Sequence, residues 1–332
     1  MIDIKRGRYV NPIAEEWLGL VKKFFHEPSR SYIELPSKKR RYFDSYAHKL
    51  RYECLHQVFI YTKNKRHRIA CVKKLYYWWK HLDTIILANP NAIDAQIKIW
   101  DKKKIGEIRF LRFLSSIFVT YYEKISIKYG HYLVNKLNIK TCPYCNRQFI
   151  YTFKGRVEER PELDHFYSKT DYPIYCLSFY NLIPVCHACN HVKLDKKIGL
   201  NPYSGAFKRK FIITDKDGNH LTKSQIYKLT EKEIKLDFAG NDPDEELNDK
   251  ILGIRDVYNK HTDYVKELID KSMAYDMHAM KALVESFQGV GYHPRQVYDF
   301  VWGRHLMNAE YEDRPLSKLT KDILDLLDIK RR

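Results

Sequence analysis

Long apolar runs are missing from this chain. No stretch approaches the roughly 18 consecutive apolar residues that a membrane span requires, and Met1 to Val10 (MIDIKRGRYV) lacks the apolar segment of a secretory signal. These absences argue against a spanning or exported protein and place the chain in the cytoplasm. Internal repeats and low-complexity tracts are absent too. A disulfide framework is also lacking: the seven cysteines are odd in number, and a reducing compartment keeps thiols free. Four of them form two C-x-x-C pairs, Cys142/Cys145 and Cys186/Cys189, a spacing that favours metal binding. Cys54, Cys71 and Cys176 read as buried structural thiols.

Negative charge is in short supply. Lys and Arg number 59 against 41 Asp and Glu, a balance of +18 over 332 residues. Such an excess calls for a polyanionic partner, nucleic acid before an anionic membrane surface. Aromatic residues make up 14% of the chain, with 26 tyrosines, which argues against disorder and for a well-packed body.

Asn11-Pro12 reads as a cap and first helical residue, followed by a stripe of Trp17, Leu20, Val21 and Phe24. A second basic helix is expected over Tyr42 to Phe59, then a loop at Lys63–Arg68. Val72, Leu75, Tyr76 and Trp79 lead to a turn at Asn89-Pro90-Asn91, and a long helix is expected near 105–125. The basic clusters at 38–41, 63–68 and 102–104 fit phosphate contacts and solvated helix faces equally. In Trp78-Trp79 the side chains point about 100° apart, so core packing is preferred to base stacking. Further on, Phe211–Thr214, Asp217-Gly218 and Ile234–Phe238 suggest short strands or a hairpin. Asp242-Pro243-Asp244-Glu245-Glu246 opens a helix through Leu247, Ile251, Ile254 and Tyr258, its acids suiting the positive helix end. Helical patterns then continue, break at Gly289-Val290-Gly291 and His293-Pro294, and resume to the end. Arg314–Ile323 has no role that sequence alone supplies.

The chemistry concentrates between Cys142 and Lys193. The two C-x-x-C pairs could form one tetrahedral four-sulfur site, because only the turn within each pair is demanding. Between them Asp164-His165 lies in a strand-like run. Imidazole can serve as a general base near neutral pH, and a carboxylate can hold a hard cation. His187, Asn190 and Lys193 or Leu194 share one face of a short helix at i, i+3 and i+4 spacing. If zinc staples that helix to the strand, Asp164 and Asn190 could share one metal beside His165.

The order C-x-x-C, D-H, N-L-x-P-x-C-x-x-C-N-x-x-K resembles the zinc-knuckle branch of the HNH (ββα-metal) endonucleases. Together with the flanking patterns read above, the chain is expected to be α+β and mainly helical, in three parts: a basic helical region (1–140), the nuclease core with zinc knuckles that the resemblance implies (141–205), and a short hairpin followed by helices (206–332). The resemblance implies structural Zn2+ on Cys142, Cys145, Cys186 and Cys189. His165 would be the general base, and Asp164 with Asn190 the ligands of a catalytic Mg2+ or Mn2+. Asn181 would pin the loop that orients His165. Asn190 stands where many members have His, and His187 and His191 flank it as alternative ligands. Lys193, Lys196 and Lys197 fit backbone phosphates and solvated charge equally well. The wording around Leu163–Tyr167 and Asn181–Pro184 also resembles HNH effectors of Septu- and retron-type anti-phage systems, which work beside an ABC- or AAA-type ATPase. The expected function is hydrolysis of phosphodiester bonds in DNA, with RNA left open. The competing reading is a zinc-ribbon nucleic-acid-binding subunit, inactive alone, that works only with an ATPase partner.

Overall fold

The computed structural model describes residues 2–4, 10–26, 37–38, 58–101 and 108–329. The second helix falls almost wholly outside these residues, as do the cluster at 102–104, all but Lys38 of the cluster at 38–41, and Cys54. The described chain is mainly helical, with three short two-stranded antiparallel sheets. None of its helices is long and apolar enough to cross a membrane.

Helix α1 (Val10–His26) starts one residue before the expected cap. Asn11 therefore lies inside the helix, where its Oδ1 accepts from the Tyr180 hydroxyl at 2.7 Å. Helix α2 (Lys65–Lys80) begins within the stretch read as a loop. Asn64 is the signal missed there: its Oδ1 accepts from the amides of Arg66 and His67, as an N-cap does. The short α3 (Leu82–Ile86), then α4 (Pro90–Asp101) and the long α5 (Ile108–Leu137), complete the N-terminal helical layer. Trp78 is buried against Phe118, ring centroids 4.5 Å apart.

This layer grips the segment that follows. Trp17 Nε1 donates to the Leu177 carbonyl, Tyr167 Oη to Pro90, Ser178 Oγ to Ile85 and Cys176 Sγ to Phe118. Each bond runs between a helix or helix end and the 166–178 loop, so the helices hold that loop in place rather than merely flanking it.

The middle of the chain has a first knuckle (Cys142–Cys145) and a hairpin of β1 (Phe153–Lys154) with β2 (Glu158–Glu159). Next, β3 (Glu162–His165) pairs with β4 (Leu182–Val185), Asp164 opposite Ile183 and His165 opposite Leu182. Cys186, in extended backbone, then opens helix α6 (His187–Lys193). Two antiparallel strands followed by a helix thus form one unit.

Strands β5 (Phe211–Thr214) and β6 (Lys235–Phe238) pair as expected, but helix α7 (Lys223–Ile226) intervenes, so they are no tight hairpin. Asp242 caps α8 (Pro243–Leu252), accepting from the amides of Asp244 and Glu245. The helix expected to continue through Tyr258 stops at Gly253, whose φ of 61° is open to glycine at little cost, and α9 (Ile254–Tyr258) restarts. Helices α10 (Thr262–Ala274), α11 (Met277–Gln288) and α12 (Pro294–Trp302) follow, α11 capped by Asp276 and parted from α12 where Gly289, Gly291 and Pro294 fall.

The last helix, α13 (Ser317–Leu326), gives Arg314–Ile323 a role. Asn146, just past the first knuckle and at φ 48°, accepts from the Lys318 amide and donates to the carbonyls of Tyr311 and Arg314. The C-terminal segment therefore clamps the knuckle from outside. One hydrophobic cluster runs from Ile4 through the hairpin–helix unit to Leu327, so residues from all three sequence regions share a core.

Candidate active site

The four sulfurs of Cys142, Cys145, Cys186 and Cys189 lie within 4.8 Å of one another, all four residues buried. A tetrahedral zinc site with bonds near 2.3 Å needs sulfurs roughly 3.8 Å apart, so the donors fit a metal such as zinc. The knuckle backbone is shaped for it: the Arg147 amide donates to Cys145 Sγ, and the Asn146 amide to the Cys142 carbonyl. Burial pushes the Cys142 thiol up, while hydrogen bonds from the other three thiols, Cys142 foremost, pull Cys145 down. Packed sulfurs sharing protons in this way are ready to exchange them for a dication. Cys71 and Cys176 are buried and stand apart from the cluster.

The cluster joins the knuckle before β3 to the start of α6, and a cavity of about 880 Å3 opens beside their junction. His165 lies in its wall, only 8% exposed, with its ring edge-on to Tyr122 at 4.4 Å. Its Nε2 is 3.0 Å from the Cys176 carbonyl. A carbonyl only accepts, so Nε2 carries the proton and Nδ1 keeps its lone pair. Among the described residues Nδ1 has no hydrogen-bond partner, and the ring is part of the cavity wall. Burial, aided by the charges of Lys169 and Lys193, lowers the imidazole pKa to about 3 against the opposing pull of the Cys176 carbonyl. His165 is thus a neutral acceptor at any ordinary pH.

Asn181, fully buried, stitches the loop that supplies this carbonyl. Its Oδ1 accepts from the Tyr167 amide at 2.7 Å, and its Nδ2 donates to the carbonyls of Tyr175 and Tyr167. The loop from β3 to β4 is thereby closed around the His165 ring.

Asp164 and Asn190 do not converge on one metal. Strand alternation places Glu162 and Asp164 on the face toward α6, and each meets its own partner there. Asp164, 4% exposed, accepts from Tyr144 Oη at 2.5 Å and forms an ion pair with Lys193 Nζ at 3.1 Å. Asn190 instead donates its amide to Glu162, whose other oxygen lies 2.7 Å from His187 Nδ1. His191 stacks on His187 without bonding Glu162. A cation shared by Asp164 and Asn190 therefore does not fit this arrangement, because an ammonium group already fills the carboxylate's cationic place.

Lys193 also departs from its expected role. It is fully buried, with Nζ also donating to the His165 carbonyl, so its charge cannot reach a phosphate. Its i+3 offset from Asn190 sets it one step deeper along the helix–strand interface. Lys196 and Lys197 are exposed, and Lys197 pairs with Asp94 at 3.3 Å. Sequence reasoning missed Glu162 and Tyr144. Alternation with Asp164 could have exposed the first, and the aromatic inside the Cys142-Pro143-Tyr144-Cys145 turn the second.

The cavity wall is acidic in an otherwise basic protein: Glu123, Glu158, Glu159 and Glu162 line it, with Arg160 and Lys169 opposing. Comparison with family models, with curated proteins and with solved structures gives no match.

Proposed function

We propose that the chain is a phosphodiester hydrolase of the HNH type, acting on DNA, with His165 as the base that takes a proton from the attacking water. The observation that supports it most is the His165 ring itself: Nε2 is tied to the Cys176 carbonyl, and the ring lies in the wall of a cavity large enough for a phosphodiester and its neighbours. A general base needs a fixed tautomer, a rigid mount and a pKa near the working pH; His165 has the first two, and an anionic phosphate entering the cavity would raise the pKa of about 3 that burial gives it. Asn181, the 166–178 loop and the four-sulfur staple provide the mount. No step is assigned to magnesium, since Asp164 and Asn190 do not offer it a shared place. Incubation with supercoiled DNA and with RNA, with either Mg2+ or Mn2+ supplied, should yield nicked or cut products. Intact substrate under every condition would oppose the reading for the isolated chain.

A second reading is favoured by one observation, the closed Asp164–Lys193 pair. In that reading the chain is silent alone and becomes a nuclease only in complex with a partner such as an ATPase, which rearranges this pair. Rescue of cleavage by a co-purified partner distinguishes it.

The His165 environment sets the pH profile. The deprotonated ring is the active form, so kcat/KM falls only as the free enzyme's His165 gains a proton. With its pKa at about 3, rates should stay level from neutral pH down to about pH 5, where an ordinary histidine (pKa about 6.5) would be mostly protonated. An acid limb at or above 6.5 would instead implicate His187, whose pKa the Glu162 carboxylate raises.

A further inference from the structure

Between the first knuckle and the cavity, the chain runs extended with an alternating pattern of its own. Ile150 is 5% exposed and Thr152 bonds His131, whereas Phe149, Tyr151 and Phe153 are 46%, 51% and 46% exposed. Phe149 and Tyr151 stack at 5.0 Å with 17° between their planes. Three open aromatic rings thus stand at i, i+2 and i+4 on one side. Solvent gives no reason for this: an edge exposed to water is ordinarily blunted with charge.

We propose that Phe149, Tyr151 and Phe153 form a stacking ladder for the unpaired bases of a single-stranded polynucleotide whose backbone leads into the His165 cavity. This rests on the nuclease reading for the cavity's role and deepens it by naming the form of the substrate. Two considerations select this occupant, and with Phe149 and Tyr151 already stacked on each other at 5.0 Å it is the outer faces of the rings that are open to bases. Base faces are open to aromatic rings only when bases are unpaired. Cations flank the ladder, Arg147 before it and Arg156 after it, with Lys154 between them paired to Glu158 at 3.3 Å, in a chain of net charge +18, which suits a phosphate backbone and not an apolar peptide. The ladder is also continuous with the cavity, because the hairpin it enters carries Glu158, Glu159 and Arg160 into the cavity wall.

The test is fluorescence anisotropy with labelled oligothymidylate, oligouridylate and a mixed-sequence duplex, using the full chain carrying His165→Ala so that no substrate is consumed. Adding Phe149→Ala and Tyr151→Ala should weaken single-strand binding roughly 10- to 100-fold, the range for lost base–aromatic stacking, and leave duplex binding unchanged. Tyr151→Trp should retain binding and Tyr151→Leu should not, which separates stacking from mere apolarity. Phe300→Ala, at a ring 72% exposed elsewhere, should change nothing. The relative affinities for the two oligonucleotides tell DNA from RNA. The proposal is overturned if the double variant binds single strands like its parent, if duplex affinity falls equally, or if no single strand binds. Cleavage by the otherwise wild-type chain keeps the two readings apart. Cutting that ignores the ladder variants removes the ladder and leaves the nuclease, whereas ladder-dependent binding without cutting on any substrate does the reverse.

Discussion

Replacing Cys142, Cys145, Cys186 or Cys189 by serine, or stripping metal with a strong chelator, should unfold the hairpin–helix unit and not merely slow a reaction. The four sulfurs are the only group of three or more potential metal ligands gathered among the described residues. They tie together segments far apart in sequence: the knuckle that carries Tyr144, and the first turn of α6 that carries His187, Asn190 and Lys193. Structural zinc contributes on the order of 10 kcal/mol in small domains, close to the whole stability of an ordinary domain. Its loss would also leave four thiols crowded in the interior and free Asn146 from the α13 segment that clamps it. The measurement is metal content by atomic absorption beside circular dichroism and limited proteolysis of 141–205. Cys176→Ser, outside the cluster, serves as the control that keeps its zinc. Full zinc and unchanged proteolysis in the Cys186→Ser variant would contradict the assignment.

The second large effect belongs to Lys193. Lys193→Ala should cost about 3–5 kcal/mol, the usual penalty for stranding one half of a buried ion pair. Asp164 would keep the Tyr144 hydroxyl but lose its countercharge. Burial already holds the Asp164 carboxyl above its ordinary pKa, although Lys193 and Tyr144 pull it down. Without Lys193 the rise should be larger, and the sign of the pH effect follows. A carboxyl whose folded pKa exceeds its unfolded value stabilises the fold once protonated, so the variant should gain stability as pH falls through that raised pKa. The wild type should show the same trend more weakly. Replacing both partners, Asp164→Asn with Lys193→Met, leaves no bare charge and should cost less than Lys193→Ala alone. Urea denaturation of the three variants at two pH values reads all of this. A single variant as stable as the wild type would show that the pair is not buried and mutual.

Those expectations show where sequence was informative and where it was not. Local signals read directly: the two C-x-x-C turns, the Asp242-Pro243 cap and the glycine–proline breaks before α12 depend on neighbours a few residues away. What failed was partner choice across the chain. Helix periodicity states which residues share a face, not how deep the face is buried, so it does not tell the buried Lys193 from a solvated or phosphate-bound one. Strand alternation can put Asp164 and Glu162 on the same side, but only the register of α6 on β3 decides that Asn190 meets Glu162 and Lys193 meets Asp164. The Arg314–Ile323 segment was silent for the same reason, since its partner Asn146 lies about 170 residues earlier. Its left-handed backbone, at φ 48°, is a local trait that only asparagine's tolerance of such turns hinted at.

The central claim is that His165 is the hydrolytic base on a mount that does not depend on its ring. The most direct measurement is single-turnover cleavage by the wild type and by His165→Ala side by side, with zinc content and thermal midpoint recorded for both. The expected result is a loss of about 10²–10⁴-fold in rate, the usual contribution of a positioned general base, with zinc retained and the fold intact. Equal cleavage rates in two zinc-loaded, folded proteins would contradict it.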